Sequence, residues 1–274
     1  MNLSTTLHEA GLVPRKLSAA RTRFDPVYSA IHELIMRHGG EASGLTAFEY
    51  RVFSQNGEDG VIAEIFRRIG TTNRFFVEFG IGDGWQGNSV FLGDVLDWTG
   101  LFAEPDTKSY ERIRAKYQHS PRVRVAPDAL TSTNVNAKFT EWQVPDAPDL
   151  VSIDIDGNDY YVWSALKWHP RVVIIEYNGY LSADVTLVQP ESDRGWDGSQ
   201  FFGASPAALI QLGRDKGYTF VHADLTGTNL FFVRDDLAAS FGPGLVRQKN
   251  QALLGIAHRS TTHFSEYELK SPRS

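Results

Sequence analysis

The chain has 274 residues, 42% hydrophobic and 22% charged, enough to bury a substantial core without disulfides or a structural metal. It has no cysteine, which excludes disulfides, thiolate catalysis and Cys-based zinc sites. The formal net charge is -6 and the basic residues are dispersed, the densest stretch being Arg15, Lys16, Arg21 and Arg23, so nucleic acid is a poor partner.

The N-terminus lacks a continuous apolar signal-peptide core, and no run approaches the ~18 apolar residues that span a bilayer. The expectation is a cytoplasmic protein without a membrane partner. Residues 1–50 read as a helical extension: Asp25-Pro26 starts a helix, Ile31, Leu34 and Ile35 share one face, and Gly39-Gly40 stops it. A second helix is predicted from about Glu58 to Ile69, with Val61, Ile62, Ile65, Phe66 and Ile69 on its apolar face and Gly70 as its stop.

From residue 74 short apolar runs alternate with amphipathic stretches. Strands are predicted at Phe75–Phe79, Leu101–Glu104, Val123–Ala126, Leu150–Asp154 and Val172–Tyr177, with helices between them at about 88–97, 107–117, 132–142 and 159–167. Near-continuous apolar strands separated by helices imply a parallel sheet covered on both faces. Ser205-Pro206 then starts a helix that Gly217 stops. Tyr218–His222 and Leu230–Val233 are joined by a turn too short for a parallel crossover, so they form an antiparallel hairpin. The domain reading is an extension over 1–50, an α/β domain over 51–236 and a C-terminal extension over 237–274. Residues 178–204 form a long connection, either a decorated surface loop or a lid whose Tyr180, Trp196, Phe201 and Phe202 cover a substrate.

The strongest motif runs from Val77 to Gly84, Val-Glu-Phe-Gly-Ile-Gly-Asp-Gly, from the end of the first strand into a turn. Gly80, Gly82 and Gly84 allow a sharp bend and close approach of a ligand. The dinucleotide fingerprint needs Gly or Ala where Trp85 stands, and the absence of Gly-Lys followed by Ser or Thr excludes a P-loop. Glu78, two residues before the first glycine, is placed to organise the turn and a cationic ligand. Glu104, about 20 residues beyond the turn, is placed to accept both ribose hydroxyls of an adenosine ligand, as the acidic residue of dinucleotide folds does. Asp128, after the third strand, is a candidate adenine contact.

The fourth strand ends in Asp154-Ile155-Asp156-Gly157-Asn158-Asp159, and the fifth in Glu176-Tyr177-Asn178. Neighbouring strands would bring these acidic ends together where open α/β sheets bind ligands. Asp154, Asp156, Glu176 and Asn178 form an oxygen-rich set suited to Mg²⁺ or another hard divalent cation, or alternatively a turn network with one carboxylate facing a cationic ligand. Asn158 or Asp159 is a natural helix N-cap. His222 is either a base reaching the site or a satisfied histidine at a strand end.

With its reversed strand near the edge, the predicted sheet is the Rossmann-like class I methyltransferase plan: seven strands, mostly parallel, with an antiparallel C-terminal hairpin. Over about residues 50–236 the chain resembles the FkbM-like group of S-adenosylmethionine-dependent methyltransferases. The resemblance rests on Ser54-Gln55-Asn56-Gly57-Glu58-Asp59-Gly60, the Val77–Gly84 turn, Ser152–Tyr160 and Ile175–Asn178. It extends to Trp196-Asp197-Gly198, Phe202-Gly203-Ala204-Ser205 and Asn229–Val233.

The resemblance implies methylation of a small molecule, with an oxygen of a sugar or specialised metabolite as acceptor. Carried over by position, Glu78, Gly80, Gly82, Glu104 and Asp154 line the cofactor, and Gln55 and Asn88 reach its methionine end. Asp156, Asp154 and His222 are the candidate catalytic groups, and Tyr180, Trp196 and Phe202 the candidate acceptor wall. Metal-dependent O-methyltransferases usually carry an adjacent acidic pair or an Asp-Asn pair where this chain has Glu176-Tyr177-Asn178. Nitrogen methylation, an intramolecular displacement on the cofactor's aminoalkyl chain, a non-catalytic binding protein and a homo-oligomer all remain compatible with the sequence.

Overall fold

The computed structural model describes residues 44–193, 196–246 and 267–269. The chain divides into two units, 1–43 and 44–274, and every described element belongs to the second. The helix predicted after Asp25 lies outside the described residues.

A 3₁₀ turn at Gly44–Phe48 leads to helix α1, Glu58–Ile69. Glu58 and Asp59 in its first turn and Arg67 and Arg68 in its last oppose the helix dipole, while Val61, Ile62, Ile65 and Phe66 are buried. The alternating region follows in the predicted order: β1 (Phe75–Phe79), α2 (Val90–Asp94), β2 (Thr99–Ala103), α3 (Thr107–Tyr117), β3 (Val123–Ala126), α4 (Val135–Glu141), β4 (Leu150–Ile153), α5 (Asp159–Ala165) and β5 (Val172–Glu176). After the connection and its short strand β6 (Leu187–Val188) come α6 (Pro206–Asp215), β7 (Tyr218–Ala223) and β8 (Asn229–Arg234). A two-residue strand β9 (Glu268–Leu269) is the last described element.

Seven strands form one sheet in the order β3-β2-β1-β4-β5-β8-β7. The pairs among β1 to β5 are parallel, and β8 is antiparallel to both of its neighbours, so six strands share one direction and β8 alone opposes them. This is the expected Rossmann-like arrangement, with the reversed strand one place in from the edge.

Alternation of side chains divides the sheet into two unlike faces. One carries Val77, Phe79, Leu101, Val151, Ile153, Val173, Ile175, Leu230 and Phe232, packed against Phe139 of α4, Trp163 of α5 and Leu209 of α6. The other carries Phe76 against Phe102, with Phe102 stacked on Tyr117 of α3. Towards the carboxyl edge this second face turns polar, with Glu78 and Ser152 opposite each other in the register.

Two local outcomes differ from the sequence expectation. Helix α2 is only Val90–Asp94, not 88–97, because residues 84–89 are held as a turn by Glu78 and Asp97 has a left-handed backbone. Strands β6 and β9, which pair with each other, were not anticipated.

Candidate active site

The glycine turn leaves β1 at the carboxyl edge of the sheet. Gly80, Gly82 and Gly84 all have left-handed backbones, at φ 68°, 60° and 76°. At Gly80 the constraint is also steric, because a Cβ there would sit 1.6 Å from the carbonyl oxygen of Asp154. At Gly82 a Cβ would meet nothing within 4 Å, so the turn opens onto free space.

Glu78 lies beneath this turn, and its two oxygens accept the Asn88 and Ser89 amides, each at 2.7 Å. Burial pushes its carboxyl up to about 7. Asn88 donates from its side chain to Ser152 Oγ at 3.0 Å, tying the turn to β4. Lys116 supports the turn from α3: its ammonium donates to the Gly84 carbonyl at 2.8 Å, pairs with Asp94 at 3.0 Å and lies 4.9 Å from the Trp85 ring centroid.

Glu104 follows β2 and faces the turn. It accepts the Gly82 amide at 2.8 Å and the Asp106 amide at 2.9 Å. Burial raises its pKa, with the charges of Asp106 and Asp156 adding to the effect, so Asp156 is near enough to be felt. Each carboxylate oxygen keeps a second lone pair for a ligand hydroxyl. The helix cap that follows is Asp106, which accepts the Ser109 amide at 2.8 Å. Asp128, after β3, is paired with Lys138 at 2.8 Å. Gln55 is exposed in the loop before α1.

The acidic ends of β4 and β5 do converge: Asp154, Asp156 and Glu176 each offer a carboxylate oxygen within 4.8 Å of the others. Asp156 has a left-handed backbone at φ 56°, a conformation that costs free energy for a residue with a side chain and recurs at functional sites. Its loop is fixed by Asp159, whose carboxylate accepts the Ile155 amide at 2.8 Å and the Gly157 amide at 2.9 Å. Asp159, rather than Asn158, is the side chain that organises this turn. Asn158 instead exchanges hydrogen bonds with Ser192 of the long connection.

Two candidates are engaged elsewhere. Asn178 is fully buried; its amide donates to Gln200 O at 2.8 Å and Phe202 O at 2.9 Å, and its oxygen accepts the Tyr180 amide at 3.0 Å. Those bonds commit it to the connection rather than to the carboxylate trio. His222 is buried on β7, bonded to Glu49 at 2.9 Å and packed near Phe231. This is the satisfied strand-end histidine, held in a polar cluster with a partner the sequence did not suggest.

The connection folds back over the β4 and β5 ends. Gln189 O accepts from Tyr161, and Asn178 N–H donates to Ala204 O at 2.8 Å. Trp196 is 40% exposed; its ring is T-shaped to the buried Phe202 at 5.8 Å, and its Nε1 donates to Ser199 O at 2.7 Å. Tyr180 is half-buried. Sequence reasoning missed Tyr267, whose hydroxyl lies 2.9 Å from Asn178 Nδ2; a lone tyrosine so far along the chain carries no local signal.

No family model matches the chain, and no curated protein sequence matches it. Among solved structures, the N-terminal domain of EvdMO1 with SAH bound is 14% identical, with 66% of this chain and 80% of that chain covered and a TM-score of 0.44. An O-methyltransferase family protein from Burkholderia thailandensis is 14% identical over 78% of this chain and 61% of its own, with a TM-score of 0.43. A methyltransferase from Geobacter sulfurreducens is 14% identical over 85% and 96%, with a TM-score of 0.42. The chain thus spans about three fifths of the Burkholderia protein. Among the described residues, no helix is long and apolar enough to cross a membrane.

Proposed function

We propose that the chain is an S-adenosylmethionine-dependent methyltransferase of the FkbM-like kind, acting on an oxygen of a small hydroxylated acceptor such as a sugar or specialised metabolite. The observation that carries this reading is the Gly82–Glu104 pair. An amide-anchored carboxylate faces a glycine turn that opens onto free space, at the carboxyl edge of a sheet with the class I strand order.

S-adenosylmethionine supplies a sulfonium-activated methyl group. Glu104 accepts the ribose hydroxyls, and the side-chain-free Gly82 lets the ligand approach the backbone. Glu78 and Asn88 hold the turn in shape through Ser89 and Ser152. Asp154, Asp156 and Glu176 stand where an acceptor hydroxyl loses its proton, and Asp156, the exposed member, takes it. Tyr180, Trp196 and Phe202 form the wall that holds the acceptor in line and keeps water out.

The three carboxylates also fit a hard divalent cation such as Mg²⁺, which would supply Lewis acidity to the acceptor oxygen. If so, chelation on metal-stripped protein abolishes turnover with little loss of cofactor affinity, and Mg²⁺ restores it. Full activity in excess EDTA removes the cation from the mechanism and leaves Asp156 as base.

The central test is thermal. S-adenosylhomocysteine at ~100-fold over its Kd stabilises the fold by about 2.7 kcal/mol. That corresponds to a melting shift of roughly 5–10 °C for a chain of this size. NAD gives none, and equal shifts with both ligands, or none with either, defeat the assignment. Transfer of labelled methyl to a panel of sugars, phenols and amines then separates oxygen from nitrogen acceptors.

A further inference from the structure

One hydroxyl near the end of the chain gathers an unusual number of contacts. Tyr267 is buried and immediately precedes β9, which pairs antiparallel with β6 inside the long connection. Its hydroxyl oxygen accepts the Phe202 amide at 3.0 Å and lies 2.9 Å from the Asn178 side-chain nitrogen, whose two hydrogens are shared among Gln200 O, Phe202 O and this hydroxyl. Its hydrogen is directed at Phe202 O at 3.1 Å, with Gln200 O at 3.3 Å. A phenol both accepts and donates, so this hydroxyl can hold the amide and the carbonyl of Phe202 together. The ring meets Phe201 edge to face at 4.6 Å.

We infer that Tyr267 is a positioning residue for the acceptor wall. Its hydroxyl, together with Asn178, fixes the backbone of residues 200–202. The Phe202 ring then sets the stance of Trp196, which contacts it and is anchored on Ser199. Tyr267 itself touches no acceptor. The inference rests on the wall assignment made above and adds that the wall is clamped by the C-terminal segment. Removing the hydroxyl leaves the Phe202 amide without its partner while keeping the ring contact with Phe201. The connection then loosens, and the cofactor half of the site stays as it was.

The experiment is Tyr267→Phe in the full chain, saturated with S-adenosylhomocysteine and followed by hydrogen exchange. Loss of one buried hydrogen bond speeds exchange at the Phe202 amide by about tenfold, with faster exchange confined to residues 178–204. S-adenosylhomocysteine affinity stays within about twofold, because no cofactor contact changes. With an acceptor from the panel above, KM rises at least about fivefold while kcat stays within about twofold, the split expected for uniform binding.

Unchanged exchange across 178–204, or acceleration spread evenly over the sheet, overturns the inference. So does a fall in kcat at constant KM. If Tyr267→Phe does not fold, the wild type is read instead: a Phe202 amide protected as well as the β5 amides supports the clamp, and one exchanging as fast as an exposed loop overturns it. Failure of the wild type to bind S-adenosylhomocysteine defeats the methyltransferase reading instead, and the exchange pattern of the unliganded protein still judges the clamp.

Discussion

At the scale of single residues, the same chemical type does different work in different surroundings. Glu104 has both oxygens seated on backbone amides and lone pairs to spare, so it is built to receive hydroxyls. Glu104→Ala weakens S-adenosylhomocysteine binding by about 1–3 kcal/mol, the cost of unpaired ribose hydroxyls, as titration calorimetry reads directly. Asp156 sits on a left-handed backbone beside two other carboxylates. Asp156→Asn lowers kcat by about 10²-fold or more and leaves cofactor affinity intact, the signature of a lost general base. His222 is the opposite case. Its bond to buried Glu49 makes it a structural partner, so His222→Phe removes one of the hydrogen bonds of that carboxylate and costs about 1–3 kcal/mol of stability. Cofactor affinity of the folded fraction is unchanged, and a collapse in kcat without a change in melting temperature would restore His222 as a base.

At the scale of elements, the connection between β5 and α6 carries the residues proposed as the acceptor wall. Ser205 caps α6 through the Ala208 amide at 3.2 Å, accepts the Leu187 amide at 3.0 Å and donates to Val185 O at 2.6 Å. The helix start and the connection thus share one hydroxyl. Trp196→Ala raises acceptor KM or lowers kcat by about tenfold or more and barely touches cofactor affinity, because the wall and the glycine turn belong to different elements. Steady-state kinetics beside calorimetry shows whether the two effects separate.

Much of this scale was legible beforehand. The five parallel strands and the hairpin announce themselves by apolar runs bounded by glycine, proline and acidic residues, and Asp106 and Ser205 by cap chemistry. Strands β6 and β9 did not, because two residues carry no periodicity and their pairing is set by distant chain. Helix α2 was overestimated for a related reason. The apolar residues continue past Asp94, but the tertiary hold of Glu78 on the Asn88 and Ser89 amides shortens the helix at its start. The bonds of Asn178 to Gln200 and Phe202 and of His222 to Glu49 are equally invisible, since they join residues remote in sequence.

At the scale of the whole molecule, carboxyls buried in the fold set the response to pH. Burial pushes Asp59 up to about 6 and Glu78 up to about 7; burial, with the charges of Glu58 and Glu49, takes Asp224 to about 7. Unfolded carboxyls titrate near about 4, so between those values the folded protein holds protons that the unfolded chain has released. The stabilisation is complete below about 4 and is lost as pH rises through 6 to 7. Glu64 acts in the reverse sense: its hydrogen bond with Arg67 holds it down to about 2, so its contribution is lost only as pH falls towards that value. The melting temperature therefore falls between about pH 4 and pH 7. Calorimetry across that range tests the sign, and a steady rise would contradict it.

The pairing of β6 with β9 has a further consequence, in time rather than in shape. A strand early in the connection waits for a strand near the far end of the chain, and closing so long a loop is entropically costly. The glycine turn, Glu104 and the acidic trio are complete once β5 has emerged, whereas the acceptor wall gains its clamp only with Tyr267. On the proposed function, every residue assigned to the cofactor therefore precedes in the chain the tyrosine that clamps the acceptor wall, so a chain emerging in sequence order carries the first set before the second.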